Sequence, residues 1–321
     1  MDVIRIHQNG GPEVMKLEEI PTPKPGPLEA LVKIEAAGVN FIDTYQRTGL
    51  YKLPLPFSLG LEGAGFVESV GASVTEIKPG DRVAFAGIQG AYATYIIAPQ
   101  DRLVVIPDAV SFQEAAAVML QGMTAHYLSA STYPLKRGDS CLIHAIAGGV
   151  GALLCQMAKK RGALVIGTAG TDEKVKQGKE TGADHVINYS TNDFEAEVKR
   201  ITNGKGVNVV YDGVGKSTFE KSLNSLAVRG MLVSFGQSSG LAPPFDPQRL
   251  SGSSLFFARP RLFDYIATRE ELTWRSEELF GWLADKTLKL KIDRVLPLAE
   301  APKAHQLLEG RQTAGKLVLQ P

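Results

Sequence analysis

Gly148, Gly149 and Gly151 put three glycines in four residues, between an apolar run that starts at Ser140 and an alternating apolar helix pattern from Val150 to Lys160. Strand, tight turn and helix start in that order leave free backbone N–H groups at a helix N-terminus. Those groups carry partial positive charge, and glycine lets a diphosphate come close to them. The chemistry expected here is binding of a dinucleotide pyrophosphate. A glycine-rich turn can also do no more than pack a helix on a strand, but Ala163 to Thr168 supplies a next parallel strand at the right distance. Gly148 and Gly151 hold the second and third positions of G-x-G-x-x-G, and Ile146 stands at the first. Its β-branch predicts a strand that runs one residue further before turning.

The end of the following strand bears on which nucleotide binds. A carboxylate there would hydrogen-bond the free ribose hydroxyl of NAD, but the strand ends in Gly167-Thr-Ala-Gly170 without an acid. Asp172 and Glu173 follow in the first turn of a helix capped by Thr171, where the helix dipole favours acids in any case. Lys174 is beside them. A small uncharged strand end with a lysine suits the 2′-phosphate of NADPH, and Tyr189 could add a hydroxyl donor. The alternative role for Lys174 is that of a solvated helix charge.

These residues need elements to hold them. Residues 1 to about 110 hold short β-like runs, among them Leu31 to Glu35, Gly65 to Val70, Asp81 to Phe85 and Tyr95 to Ala98, broken by Pro/Gly turns. The pattern turns helical from about Ser111 to Tyr133. From Ser140 strands alternate with helices, the further strands being Val186 to Tyr189, Val207 to Tyr211 and Gly230 to Phe235. That alternation predicts an α/β, doubly wound parallel sheet with its ligand at the carboxyl ends of the strands. A helix from about Arg269 to Asp285 and a strand from Lys316 to Leu319 close the chain, the strand returning to the first domain. Lys316 reads as an edge-strand charge.

Composition narrows the function classes. Lys plus Arg number 35 against 34 Asp plus Glu, which gives nucleic acid or an anionic membrane no support. No apolar run approaches roughly 18 residues, and Met1 to His7 alternates like a strand, so a cytoplasmic protein is expected. Cys141 and Cys155 form no metal motif and read as small buried hydrophobes. His7, His126, His144, His185 and His305 lack the spacing of a tetrahedral site.

Several segments together resemble a known family: Gly10 to Val14, Gly38 to Tyr51, Lys78 to Val83, Gln121 to Ala125, His144 to Gly151, Tyr211 to Gly215 and Thr268 to Leu272. In number and order they resemble the medium-chain dehydrogenase/reductase superfamily, and within it the zinc-independent NADPH:quinone oxidoreductases, the ζ-crystallin-like group. The resemblance implies a GroES-like β-rich domain built from both chain ends, 1–121 with 262–321, a Rossmann domain over 122–261, a nucleotide cleft between them, and a homodimer. Where zinc alcohol dehydrogenases place a cysteine this chain has Asn40, and their GHE segment reads Gly60-Leu61-Glu62. Without a Lewis acid the substrate must accept hydride readily, as a quinone or an activated alkene does.

Carried over by the resemblance, Asn40, Phe41, Asp43 and Tyr45 line the NADPH site, with Asn40, Tyr45 and Tyr51 at the substrate pocket. An aromatic ring can stack on a planar quinone. Tyr45 and Tyr51 can equally be core tyrosines. The resemblance also brings Thr124, Tyr127, Gly148, Gly149 and Val150 to the cofactor, and Gly170, Thr171, Lys174 and Tyr189 to its 2′-phosphate. Val214, Phe235, Gly236, Ser238, Phe257, Arg259 and Arg311 complete the cofactor positions. No residue is assigned as catalytic acid. The rival readings are an NADPH-dependent 2-alkenal or enone reductase, and an NADPH- or RNA-binding protein without major turnover.

Overall fold

The computed structural model describes residues 1–310 and 312–321. Arg311, one of the expected cofactor positions, lies outside the described residues. The chain divides into two compact units, Met1–Met123 with Ile266–Pro321, and Thr124–Tyr265.

The first unit opens with β1 (Asp2–Ile6), β2 (Lys16–Glu19), β3 (Glu29–Val39), α1 (Phe41–Arg47), β4 (Phe57–Ser58), β5 (Glu62–Val70), β6 (Arg82–Ala86), β7 (Tyr95–Pro99) and β8 (Val104–Val105). Helix α2 (Phe112–Tyr127) then carries the chain into the second unit. There β9 (Ser140–Ile143), α3 (Gly149–Lys160), β10 (Leu164–Ala169), α4 (Asp172–Glu180), β11 (His185–Asn188), α5 (Phe194–Ile201), β12 (Val207–Asp212), α6 (Phe219–Asn224), β13 (Leu226–Ser234), β14 (Phe256–Ala258) and α7 (Leu262–Tyr265) follow. The return to the first unit adds α8 (Arg269–Ala284), β15 (Ile292–Pro297), α9 (Ala301–Glu309) and β16 (Lys316–Gln320).

In the first unit the strands run β15–β16–β3–β5–β6–β8, with β7 also paired to β3. Strand β16 lies antiparallel to β3, Leu317 opposite Val39 and Leu319 opposite Ala37, and parallel to β15. The C-terminal segment is therefore an interior strand, and Leu317 and Leu319 join Ile34, Val39, Phe85 and Leu103 in the core. Each such side chain contributes about 1.5–3 kcal/mol by leaving water. Helix α1 is too short to stand alone. Asp43 in its first turn accepts from the Asn40 backbone N–H at 2.8 Å, and Arg47 in its last turn is buried and anchored elsewhere in the unit.

In the second unit the order is β11–β10–β9–β12–β13–β14, with every pairing parallel. Counted along the chain this is 3-2-1-4-5-6, the dinucleotide-binding arrangement, whose strand order reverses between β9 and β12. Strands β9, β10 and β12 are apolar almost throughout because helices cover both faces.

Ile146 departs from the expectation of a longer strand. Strand β9 ends at Ile143, and residues 144–147 turn, with Ala145 at φ 52°. The Ile146 N–H donates to Thr168 O at 3.1 Å. Its side chain is fully buried, in space that Gly167 and Gly178 leave open by having no Cβ. The β-branch fills a hole beneath the turn and does not prolong the strand.

Candidate active site

Helix α3 begins at Gly149 behind the N-cap Gly148, and among the described residues no side chain caps its first N–H groups. The Gly148 N–H donates to Ala145 O at 2.8 Å, which closes the turn, and any Cβ at Gly151 would overlap that same carbonyl. Gly148, Gly149 and Val150 thus present an uncapped helix start, the feature that binds phosphate. Below it is a buried polar network. Asp212 accepts from the backbone of Val214 at 2.8 Å and Gly215 at 3.0 Å, and from the hydroxyls of Thr218 and Ser222. His144 bonds Ser222 through Nε2 and Thr168 through Nδ1, both at 2.8 Å. Burial holds its imidazole below the ordinary value, so it is neutral there. The network ties the exits of β9, β10 and β12 together.

At the exits of β10 and β11 the structure gathers Gly170, Thr171, Lys174 and Tyr189. Thr171 caps α4 by accepting from the Lys174 N–H at 3.2 Å, and the Tyr189 N–H donates to Ala169 O at 3.0 Å. A Cβ at Gly170 would lie 2.6 Å from Tyr189 Oη. Asp172 is engaged by Asn188 at 2.7 Å. The exits of β12 to β14 collect a second group. The Phe235 N–H donates to Asp212 O, the Ser238 N–H to Gly213 O, and Gly236 packs on Gly213. Arg259 donates to Ser234 O at 2.8 Å and to Gln237 at 3.3 Å. Phe257 lies on β14, its ring in a cluster with Phe219 and Phe245. Thr124 is buried, as is Tyr127, which stacks on Tyr265 with ring centroids 4.3 Å apart. Tyr265 was not among the expected positions.

In the first unit Lys316 overturns the reading of an edge-strand charge. It is 1% exposed, because β16 is flanked by β15 and β3. Its ammonium donates to Asn40 Oδ1 at 2.6 Å and is ion-paired with Glu62. Asn40 Nδ2 donates to Glu62 at 2.7 Å, Gln121 donates to Asn40 Oδ1 at 3.4 Å, and Glu62 accepts from the Leu120 N–H. The Asn40 carboxamide is therefore committed inside the unit. A lysine cation fills the point where Asn40 and Glu62 meet. Among the described residues no group of three His, Cys, Asp or Glu side chains is arranged to hold a metal.

Phe41, Tyr45 and Tyr51 form an aromatic series, with centroids 6.4 Å apart for the first pair and 5.4 Å, edge to face, for the second. Phe41 and Tyr45 are half-buried and Tyr51 is exposed. Asp43 faces inward. It is fully buried, and Tyr92 donates to it at 2.8 Å. Burial pushes its carboxyl up to about 7, against the hydrogen bonds from Tyr92 and Asn40. Glu62, Lys316, Tyr92, His305 and Arg47 are the polar residues here that sequence reasoning missed. Glu62 at the head of the small, apolar run Gly63, Ala64 and Gly65, and Lys316 at the head of Leu317, Val318 and Leu319, were the signal for the first two, since opposite charges buried in one core must pair.

The alcohol dehydrogenase GroES-like domain model matches residues 26–108, and the zinc-binding dehydrogenase model matches 149–277. A quinone oxidoreductase of Pseudomonas aeruginosa is 46% identical over 97% of each chain. A 2-haloacrylate reductase of a Burkholderia species is 41% identical over 98% of each. The crystal structure of Escherichia coli quinone oxidoreductase complexed with NADPH superposes with a TM-score of 0.98 at 45% identity over all of both chains. Fold, turn and full-length similarity agree: the chain belongs to the zinc-independent quinone oxidoreductase family of the medium-chain dehydrogenases/reductases.

Proposed function

We propose that this protein is an NADPH-dependent quinone reductase. The observation that carries the reading is the match over its entire length to a quinone oxidoreductase crystallised with NADPH. The chain's own residues suit that cofactor. The uncapped start of α3 and the close approach at Gly151 make a cradle for the pyrophosphate, and the exit of β10 carries no acid and sets Thr171, Lys174 and Tyr189 nearby, residue types that suit the 2′-phosphate. When bound, NADPH supplies the hydride.

The protein's share of the work is binding and orientation. Asp212 fixes the Gly213–Gly215 turn from below, and the Phe41, Tyr45 and Tyr51 rings offer planar surfaces on which a quinone can stack. No covalent nucleophile is required. Burial pushes both thiols up, Cys155 to about 11, so neither is a thiolate near neutrality.

Enone reduction is the second reading, favoured by the likeness to a 2-haloacrylate reductase. Initial rates of NADPH oxidation with 1,4-benzoquinone, 9,10-phenanthrenequinone, 2-alkenals and 2-haloacrylates separate the two. Quinones are expected to be the faster substrates. Vigorous alkenal or haloacrylate turnover with inert quinones would reverse the assignment, and NADPH binding without any turnover would favour a binding role.

A homodimer belongs to the same reading. Strand β14 is the last strand of its sheet, and Phe256 on it is 54% exposed, a pattern that favours pairing with another copy. Light scattering at micromolar concentration checks it. A cytoplasmic setting is supported by two free thiols. Among the described residues no helix is long and apolar enough to cross a membrane.

A further inference from the structure

Asp43 ends a buried chain of hydrogen bonds whose direction can be worked out. Arg47 NH1 meets His305 Nδ1 at 2.9 Å, and a guanidinium only donates, so Nδ1 accepts. His305 is neutral, held down to about 3 by burial and by the Arg47 charge, so its one ring proton is on Nε2. That proton points at Tyr92 Oη, 3.3 Å away, and Tyr92 in turn donates to Asp43 Oδ2 at 2.8 Å. Every donor is aimed at Asp43. Arg47 is fixed at the other end by Glu309, at 2.8 and 3.1 Å, and by Gly10 O at 3.0 Å. A guanidinium does not release a proton, so the chain holds Asp43 in place and conducts nothing.

The two oxygens of Asp43 differ. Oδ2 accepts from Tyr92 and from the Asn40 N–H, whereas Oδ1 is buried with no partner among the described residues. A proton on Asp43 therefore resides on Oδ1, and its departure breaks no bond. Ionisation makes both bonds to Oδ2 charge-assisted, roughly twice as strong as neutral ones. One of those bonds anchors the residue from which α1 starts, and Phe41 and Tyr45 stand on its first turns.

We propose that Asp43 is a positioning residue: its ionisation tightens the N-terminal turn of α1 and steadies the Phe41, Tyr45 and Tyr51 rings, lowering the KM for a planar acceptor as the medium becomes more basic. The inference rests on the quinone-reductase reading. The groups facing Asp43 are Tyr92, His305 and Arg47 along the chain, Lys316, which favours the carboxylate, and Glu62, which opposes it. Tyr92 is pushed well above its ordinary range and stays protonated, while Asp43 titrates at about 7.

The test has two arms. With saturating NADPH, the KM for 9,10-phenanthrenequinone, which has no ionisable group, should fall about three- to tenfold from about pH 6 to about pH 8. Asp43→Asn should flatten that slope, and Tyr92→Phe, which removes a bond to the carboxylate, should move the inflection to higher pH. In infrared difference spectra a protonated-carboxyl band should disappear over the same range in the wild-type protein and be missing from Asp43→Asn. A flat wild-type profile, or an unchanged slope in Asp43→Asn, overturns the proposal. So does the lack of the carboxyl band. If no quinone turns over, the functional reading fails, while the infrared titration still decides the state of Asp43.

Discussion

Lys174 and Lys316 show how differently one residue type can be used. Lys174 lies in the first turn of α4, behind the capping Thr171 at the exit of β10, and in the proposed function only a nucleotide with a 2′-phosphate gains from a cation there. Lys174→Ala is expected to weaken NADPH about tenfold, ~1.4 kcal/mol, and NADH little, as measured by fluorescence titration. Equal losses would remove the assignment. Lys316 is buried against Glu62 and Asn40. Lys316→Met should cost about 3–5 kcal/mol, because it strands the Glu62 carboxylate, and adding Glu62→Gln should restore most of that. Urea denaturation of the single and double variants checks it, and additive losses would contradict the pairing.

At the scale of elements, α1 depends on a carboxylate that is costly to ionise. The Asp43 carboxyl is raised from 3.8 to about 7, so between those values the folded protein keeps a proton that the unfolded chain has released. The stability this contributes is complete below about pH 4 and is lost as pH rises through about 7. Asp43→Asn has no such titration. Relative to the variant, the wild-type urea midpoint should drop between about pH 5 and about pH 8, and parallel midpoints would show that Asp43 is not buried in its neutral form. Element by element, much was legible beforehand. The apolar runs that became β9, β10, β12 and β13 and the glycines that start α3 are local signals, because period and turn chemistry act within a few residues. Ile146 was misread because its role depends on the space above Gly167 and Gly178, which no local pattern records. The Asn40–Glu62–Lys316 cluster and the chain from Arg47 through His305 to Asp43 were missed for a related reason. Their members come from opposite ends of the chain and meet only once β16 and α9 return to the first unit.

For the whole molecule, each unit contributes its own part. The parallel sheet of the second unit, in the order 3-2-1-4-5-6, presents an uncapped helix start and a phosphate-suited rim. The first unit supplies an aromatic series, Phe41 and Tyr45 on α1 with Tyr51 just beyond it, and, where Asn40 and Glu62 converge, a lysine cation. The central claim is hydride delivery to a quinone without a metal, and the most direct measurement is NADPH oxidation by 9,10-phenanthrenequinone after exhaustive treatment with a zinc chelator. The expected result is quinone-dependent oxidation at a rate the chelator leaves unchanged, with NADPH preferred to NADH. A protein inert toward quinones, or one silenced by the chelator and revived by added zinc, would contradict the account.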